Sequence, residues 1–295
     1  MTTDRNYRPP TTVVTAGIGK TGRRVLHRLR DLGVPVRAGS RAGSPAFDWQ
    51  VPDTWAPLLA GAGAVYLAYA PDLAEAGAGA TVAAFTALAT RLGVGRLVVL
   101  SGRGEPGAQA AEQQVRDAAG GAAVTVVRAS WFMQNFSENF LRDAVLSGEL
   151  ALPVGAVGEP FIDADDIAAV AVAALTESGH DGQLYEVTGP RLLTFAEVAD
   201  EISAATGRPV GFRTVPLDGY LDALRQHGVP ENVVGLLGLL FIETLDGRNA
   251  WVGDGVQRAL GRPPRDVRDW ARATAAAGAW ATDPALVDVR ALVYP

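Results

Sequence analysis

The chain has 295 residues, 48% of them hydrophobic and 20% charged, which is enough for one large or two modest cores. It has no cysteine, which excludes disulfides, thiolate nucleophiles and thiolate metal sites; its net charge of -6 and lack of a compact Lys/Arg stripe give no footprint for nucleic acid. The first ten residues are polar, so no signal peptide is expected. The longest apolar stretch, Val233 to Ile242, is interrupted by Gly235 and Gly238 and is too short to span a bilayer; a cytoplasmic protein with no membrane partner is expected.

In chain order, the first informative segment is Val13-Val14-Thr15-Ala16-Gly17-Ile18-Gly19-Lys20-Thr21-Gly22. It reads as an apolar strand, a glycine turn and the start of a helix whose Val25, Leu26, Leu29 and Leu32 recur at helical spacing. Gly17, Gly19 and Gly22 satisfy G-x-G-x-x-G, the turn that lets backbone approach a pyrophosphate on a helix N-terminus. Gly17, Ile18, Gly19, Lys20, Thr21 and Gly22 are therefore candidate cofactor residues. A nucleoside-triphosphate loop would need glycine where Val14 stands inside the strand. A glycine-rich turn kept for packing alone is the bland alternative.

A second strand opens at Gly33-Val34-Pro35-Val36, and its end points to the type of dinucleotide. An NAD site places Asp or Glu about 20 residues beyond the first glycines, to accept from the ribose 2'-hydroxyl. Arg37 stands there, followed by Ser40 and Arg41, and no carboxylate lies between Asp31 and Asp48. A guanidinium fork and a hydroxyl suit a 2'-phosphate, so NADP(H) is expected in preference to NAD(H). Surface charge without a ligand is the other reading of both arginines. Asp48, Ala70 and Ser101, at later strand ends and loops, complete the candidate cofactor set.

Apolar runs at Ala64 to Ala70, Arg96 to Ser101 and Val124 to Ala129 read as strands. They alternate with helices over Thr81 to Leu92, Ala108 to Ala119 and Asn135 to Val145. This predicts an α/β fold with a doubly wound parallel sheet of Rossmann type. Further on, the pattern predicts a helix over Asp165 to Leu175, a strand over Leu184 to Val187, and a capping box Thr194-Phe195-Ala196-Glu197 opening a helix that ends near Gly207. Val210 to Val215 reads as an isolated strand, and two or more helices follow from Leu217. The expected division is a dinucleotide-binding domain over 11–190, with 135–160 partly lining the substrate cleft. A smaller, mostly helical substrate or cap domain is expected over 191–295.

The glycine turn belongs with further ordered blocks: Leu97-Val98-Val99-Leu100-Ser101-Gly102, Val126 to Phe136 with its Trp131-Phe132-Met133-Gln134-Asn135 core, Pro160 to Ala168, and Tyr185-Glu186-Val187-Thr188-Gly189-Pro190. Together, over roughly 12–280, they resemble the NmrA-like, atypical short-chain dehydrogenase/reductase family. The resemblance implies an NAD(P)-binding Rossmann domain with a small C-terminal substrate domain. It also implies a membership that spans quinone or azo reductases, biosynthetic reductases and redox-sensing regulators without catalysis. The family turn reads T-G-A-T-G-x-x-G, and here its first glycine is moved by one place.

Typical members of the wider superfamily use a tyrosine acid/base with a lysine one helical turn later. The single lysine here is Lys20, in a segment without tyrosine, so that pair is absent. Ser101 resembles the usual active-site serine in position. Because ligands bind beyond the carboxyl ends of parallel strands, Tyr69, Ser101 and Asn135 are the candidate catalytic residues. Trp131, Phe132, Met133, Gln134 and Phe136 are a candidate substrate wall. Aromatic stripes of this kind also serve as core packing. Asp163, Asp165 and Asp166 precede an apolar helix with no histidine nearby and read as helix-capping groups, so no metal is expected. His27, His180 and His227 read as surface residues. Two functions stay open: an NADPH-dependent reductase of a small aromatic, quinone-like or biosynthetic substrate, or an NAD(P)-binding protein without net redox chemistry, with a protein partner if it is a regulator. An oligomer is compatible with either.

Overall fold

A computed structural model describes residues 10–281. In chain order its elements are β1 (Thr11–Val14), α1 (Lys20–Asp31), β2 (Val36–Ala38), a short 3-10 turn (Pro52–Thr54), α2 (Trp55–Leu59), β3 (Ala62–Leu67), α3 (Ala78–Arg91), β4 (Arg96–Gly102), α4 (Pro106–Ala118), β5 (Ala123–Ala129), α5 (Asn135–Glu138), α6 (Leu141–Ser147), β6 (Glu149–Leu152), α7 (Ala164–Thr176), β7 (Leu184–Val187), α8 (Phe195–Thr206), β8 (Gly211–Thr214), α9 (Leu217–Gln226), α10 (Glu231–Glu243), α11 (Gly255–Leu260) and α12 (Val267–Ala276). The main sheet has the order β2-β1-β3-β4-β5-β7, with β1 parallel to both β2 and β3 and β3 parallel to β4. The strand order reverses at β1, which makes the carboxyl end of that strand the switch point of a doubly wound sheet.

The chain divides into two compact units. Among the described residues the first comprises 10–128, 167–185 and 258–261, and the second 129–166, 186–257 and 262–281. This corrects the contiguous boundary expected near residue 190: the units interleave, and 135–160 lies wholly in the second. In the first unit, Val13, Val65, Leu67, Leu97 and Val99 pack with α3 and α4 residues in one core. The loop before α2 adds Phe47 and Trp49, which meet Phe85 edge-on at 5.9 and 5.0 Å between ring centroids. Edge-to-face pairing of this kind favours the negative face of one ring against the positive rim of the next.

In the second unit, Phe136, Phe161 and Phe195 are fully buried together, with centroids 5.0 to 5.8 Å apart. The α8 capping box forms as expected: the Glu197 amide donates to Thr194 Oγ1, the Thr194 amide donates to the Glu197 carboxylate, and Gly207 closes the helix with φ 68°.

Three local readings change. β3 stops at Leu67 rather than Ala70, because Thr15 Oγ1 accepts the Ala68 amide at 2.8 Å and takes over the role of a ladder partner. The helix expected over Asn135 to Val145 is two pieces, since Asn139 adopts extended backbone with φ -147°. The strand near Val210 is not isolated; β8 pairs in parallel with the four-residue β6, from Glu149↔Gly211 to Leu152↔Thr214.

Candidate active site

At the end of β1, the buried Thr15 hydroxyl lies 3.1 Å from the Tyr66 carbonyl and 3.0 Å from that of Ala68, tying the strand end to β3. Ala16 then turns left-handed with φ 50°, where the family turn carries its first glycine. Among the described residues it is the one non-glycine with positive φ, a conformation that costs an alanine about 1 kcal/mol. The left-handed conformation that a glycine would adopt freely is here taken by alanine at that cost. Gly19 N donates to Ala16 O at 2.8 Å, and α1 begins at the next residue.

Gly22 is dictated by packing, because a Cβ there would lie 2.1 Å from Ala16 O. Gly17 backs onto β2, its Cβ position falling 2.9 Å from Ala38 Cβ. Gly19 is different: the nearest atom to an added Cβ is Ala16 O at 3.2 Å and the next is at 3.8 Å, so little of the protein itself demands glycine there. The Gly19 N-cap makes no side-chain hydrogen bond, and the first turn of α1 holds no acid. A twelve-residue helix whose N-cap is a glycine, with its positive dipole end at the turn, fits a diphosphate. Ile18, 74% exposed, borders this turn; Lys20 and Thr21 open the helix.

The Gly39 amide donates to Val14 O and the Gly17 amide to Gly39 O, which brings the residues after β2 alongside the turn. Half-buried Ser40 and exposed Arg41 follow directly. Arg37 does not join them. Its Nη1 donates to the Leu58 and Ala60 carbonyls at 2.6 and 2.8 Å, capping the carboxyl end of α2, and that engagement removes it from the expected 2'-phosphate set. Asp48 is also occupied elsewhere: Oδ1 accepts the Gln50 amide, and its carbonyl accepts Trp55 Nε1. Tyr69 packs its ring on Trp49 at 5.1 Å, and Ala70 is exposed beside it.

Ser101 stands near the carboxyl end of β4 and is 4% exposed. Its Oγ donates to Glu112 Oε1 at 2.6 Å, while Arg128 Nε and Nη2 each reach the same carboxylate at 2.7 Å. Glu112 and Arg128 escaped the sequence reading. The available signal was a carboxylate on the buried face of α4, among Ala108, Ala111 and Val115.

In the second unit the candidate substrate wall separates into two groups. Met133, Gln134 and Phe136 are at most 1% exposed and belong to the interior, which corrects their assignment as ligand contacts. Gln134 Nε2 donates to Asp163 Oδ1 at 2.7 Å, its Oε1 accepts the Ala164 amide, and the helix start is pinned between them. Trp131, Phe132 and Asn135 are half-buried. Trp131 meets Phe195 and Phe241, both at 5.6 Å, and donates from Nε1 to Thr244 Oγ1.

Asp163 and Asp166 serve the start of α7 and two ion pairs. Asp163 Oδ1 accepts the Asp165 amide, Arg265 donates to its Oδ2, and Arg262 donates to Asp166. His180 is corrected to buried: its Nδ1 lies 2.8 Å from Tyr185 Oη, and its carbonyl accepts from Thr125. His27 is exposed, as expected, and so is His227.

No protein-family model matches the chain. The NAD(P)H azoreductase of Xenophilus azovorans is 33% identical over 286 residues, covering 90% of this chain and 98% of that one. Likeness over nearly the full length of both chains decides the family. The chain belongs to the NmrA-like, atypical short-chain dehydrogenases/reductases. Two solved structures of this NmrA-like, NAD(P)-binding type share the fold. The triphenylmethane reductase of Citrobacter sp. complexed with NADP(H) matches with a TM-score of 0.71 at 20% identity, over 90% of this chain and 99% of that one. The NADPH-dependent quinone oxidoreductase of Escherichia coli complexed with NADPH matches with a TM-score of 0.75 at 17% identity, over 88% and 98%.

Proposed function

We propose that this chain is an NADPH-dependent reductase of small, conjugated, electron-poor molecules: aromatic, quinone-like or biosynthetic substrates. The observation that carries the cofactor half is the start of α1 at a glycine turn, with Gly19 as N-cap and left-handed Ala16 before it. The turn amides would hold the diphosphate, and Ser40 with Arg41 would take the 2'-phosphate. When bound, NADPH supplies the hydride.

The substrate half rests on the azoreductase kinship and on the missing proton donor. The one lysine of the chain opens α1, so no lysine is placed to lower the pKa of a catalytic tyrosine. Burial pushes the phenol of Tyr66 upward, away from acid/base use near neutral pH. Acceptors that need no proton in the transition state suit such a site. A triarylmethyl cation becomes neutral on taking hydride, and a quinone becomes a stabilised hydroquinone anion. The exposed parts of Trp131 and Phe132 would meet a flat ring system, and Asn135 would orient it. Among the described residues no helix is long and apolar enough to cross a membrane. The enzyme is proposed to act in the cytoplasm on small molecules.

The test follows NADPH absorbance with purified protein across quinones, azo dyes, triarylmethyl dyes and plain aliphatic ketones. Turnover of the conjugated acceptors and not of the ketones is expected. Tight NADPH binding with no turnover of any acceptor would refute the reductase reading and favour a cofactor-binding regulator.

A further inference from the structure

The Ser101–Glu112–Arg128 cluster has a chemical consequence beyond holding α4 against the sheet. Arg128 grips Glu112 in a bidentate fork, donating to both carboxylate oxygens, so both are held as acceptors. Glu112 is 3% exposed and cannot turn to water. At 2.6 Å, the Ser101 hydroxyl must therefore give its one hydrogen to Glu112. Giving that hydrogen away leaves the two lone pairs of Ser101 Oγ as its acceptor sites. A serine hydroxyl whose hydrogen was free could give it to a substrate oxygen; here that hydrogen is already committed.

Ser101 belongs to the carboxyl end of β4, on the side of the switch point away from β2. In a doubly wound sheet that half receives the second mononucleotide of a dinucleotide, and substrate beyond it. We propose that Glu112, held by Arg128, is a positioning residue that fixes Ser101 as a hydrogen-bond acceptor for an N–H donor of the bound ligand. The proposal rests on the reductase reading. The N–H has two sources: the carboxamide of the dihydronicotinamide, or an amine or hydrazo nitrogen of the substrate or product.

The experiment measures dissociation constants, without substrate, for NADPH and for its reduced 3-acetylpyridine analogue, whose acetyl group has no N–H. Wild-type, Ser101→Ala and Glu112→Gln proteins are compared. Ser101→Ala leaves the Glu112–Arg128 pair intact and keeps the test independent of whether Glu112→Gln folds. In Glu112→Gln the amide can donate to Ser101 Oγ, turning it from acceptor toward donor.

If the cofactor is the source, both variants weaken NADPH about 3- to 10-fold and leave the analogue unchanged. If the substrate is the source, both dinucleotides bind as in wild type, and KM rises for a substrate bearing N–H but not for its N-methylated counterpart. A purely structural cluster would lower affinity for both dinucleotides equally or change nothing in either arm, and each of these results overturns the proposal. Failure of the wild-type protein to bind NADPH is a separate outcome that overturns the reductase reading itself.

Discussion

Replacing Gly22 and Gly19 by alanine, one at a time, separates the fold requirement of the turn from its ligand requirement. At Gly22 the new methyl would stand 2.1 Å from the carbonyl oxygen of Ala16 and 2.8 Å from its carbonyl carbon. Ordinary contact needs more than 3.0 Å, so backbone must move by about 1 Å; neither α1 nor the strained turn can yield cheaply. Overpacking of this size costs about 2–3 kcal/mol, which for a chain of this length lowers the unfolding midpoint by about 5–8 °C. NADPH binding should be lost as the helix start shifts. At Gly19 the methyl meets Ala16 O at 3.2 Å and needs a shift of only a few tenths of an ångström. Gly19→Ala should melt within about 2 °C of wild type and still bind NADPH about 10-fold more weakly, because the methyl occupies the approach of the diphosphate. The assay is thermal unfolding followed by circular dichroism, with NADPH titration on the same samples. A Gly22→Ala protein with wild-type midpoint and affinity, or a Gly19→Ala protein with wild-type affinity, would refute the reasoning.

Arg41→Ala should cut the preference for NADPH over NADH about 10-fold or more. Arg37→Ala should leave that ratio alone and lower stability by about 1–2 kcal/mol, since the Leu58 and Ala60 carbonyls at the end of α2 lose their donor; titration with both dinucleotides and a melt tell the two apart. Thr194→Ala should cost about 1 kcal/mol in denaturant unfolding by breaking the capping box, with cofactor affinity unchanged. Arg191, hydrogen-bonded to Asp266, holds that carboxyl below its usual range, and Arg268 with Arg191 does the same for Glu201. Both carboxylates bind protons less readily folded than unfolded. Their stabilisation is present above about pH 4 and lost as pH falls through the depressed values. Arg191→Ala should therefore lose less of its midpoint than wild type between about pH 6 and pH 3; an identical acid slope would contradict this role.

The sheet was legible because a parallel strand covered on both faces writes itself as a continuous apolar run, as Leu97-Val98-Val99 and Val124 to Val127 do. The capping box was legible because its chemistry is local. β6 was not: four residues make no periodic signal, and its pairing with β8 lies about sixty positions away in sequence. The interleaved units were equally hidden, since the expected boundary followed the order of elements and not their packing. At the site, glycine spacing located the turn, but residue type alone could not tell an arginine facing a phosphate from one capping α2. The same gap applies to Phe136, whose aromatic character suits a ligand wall and a core equally, and to Glu112, whose meaning depends on Arg128 of β5, sixteen residues on in the sequence.

The most direct test of the central claim is hydride transfer itself, followed with NADPH deuterated at C4 of the dihydronicotinamide and a triarylmethyl cation as acceptor. Hydride adds there to carbon, so the label cannot exchange with water. The account predicts deuterium on the central carbon of the reduced dye, in amount equal to the NADPH consumed. Reduced dye carrying no deuterium from either C4 position would contradict it, as would a protein that binds NADPH tightly and transfers no label to any conjugated acceptor.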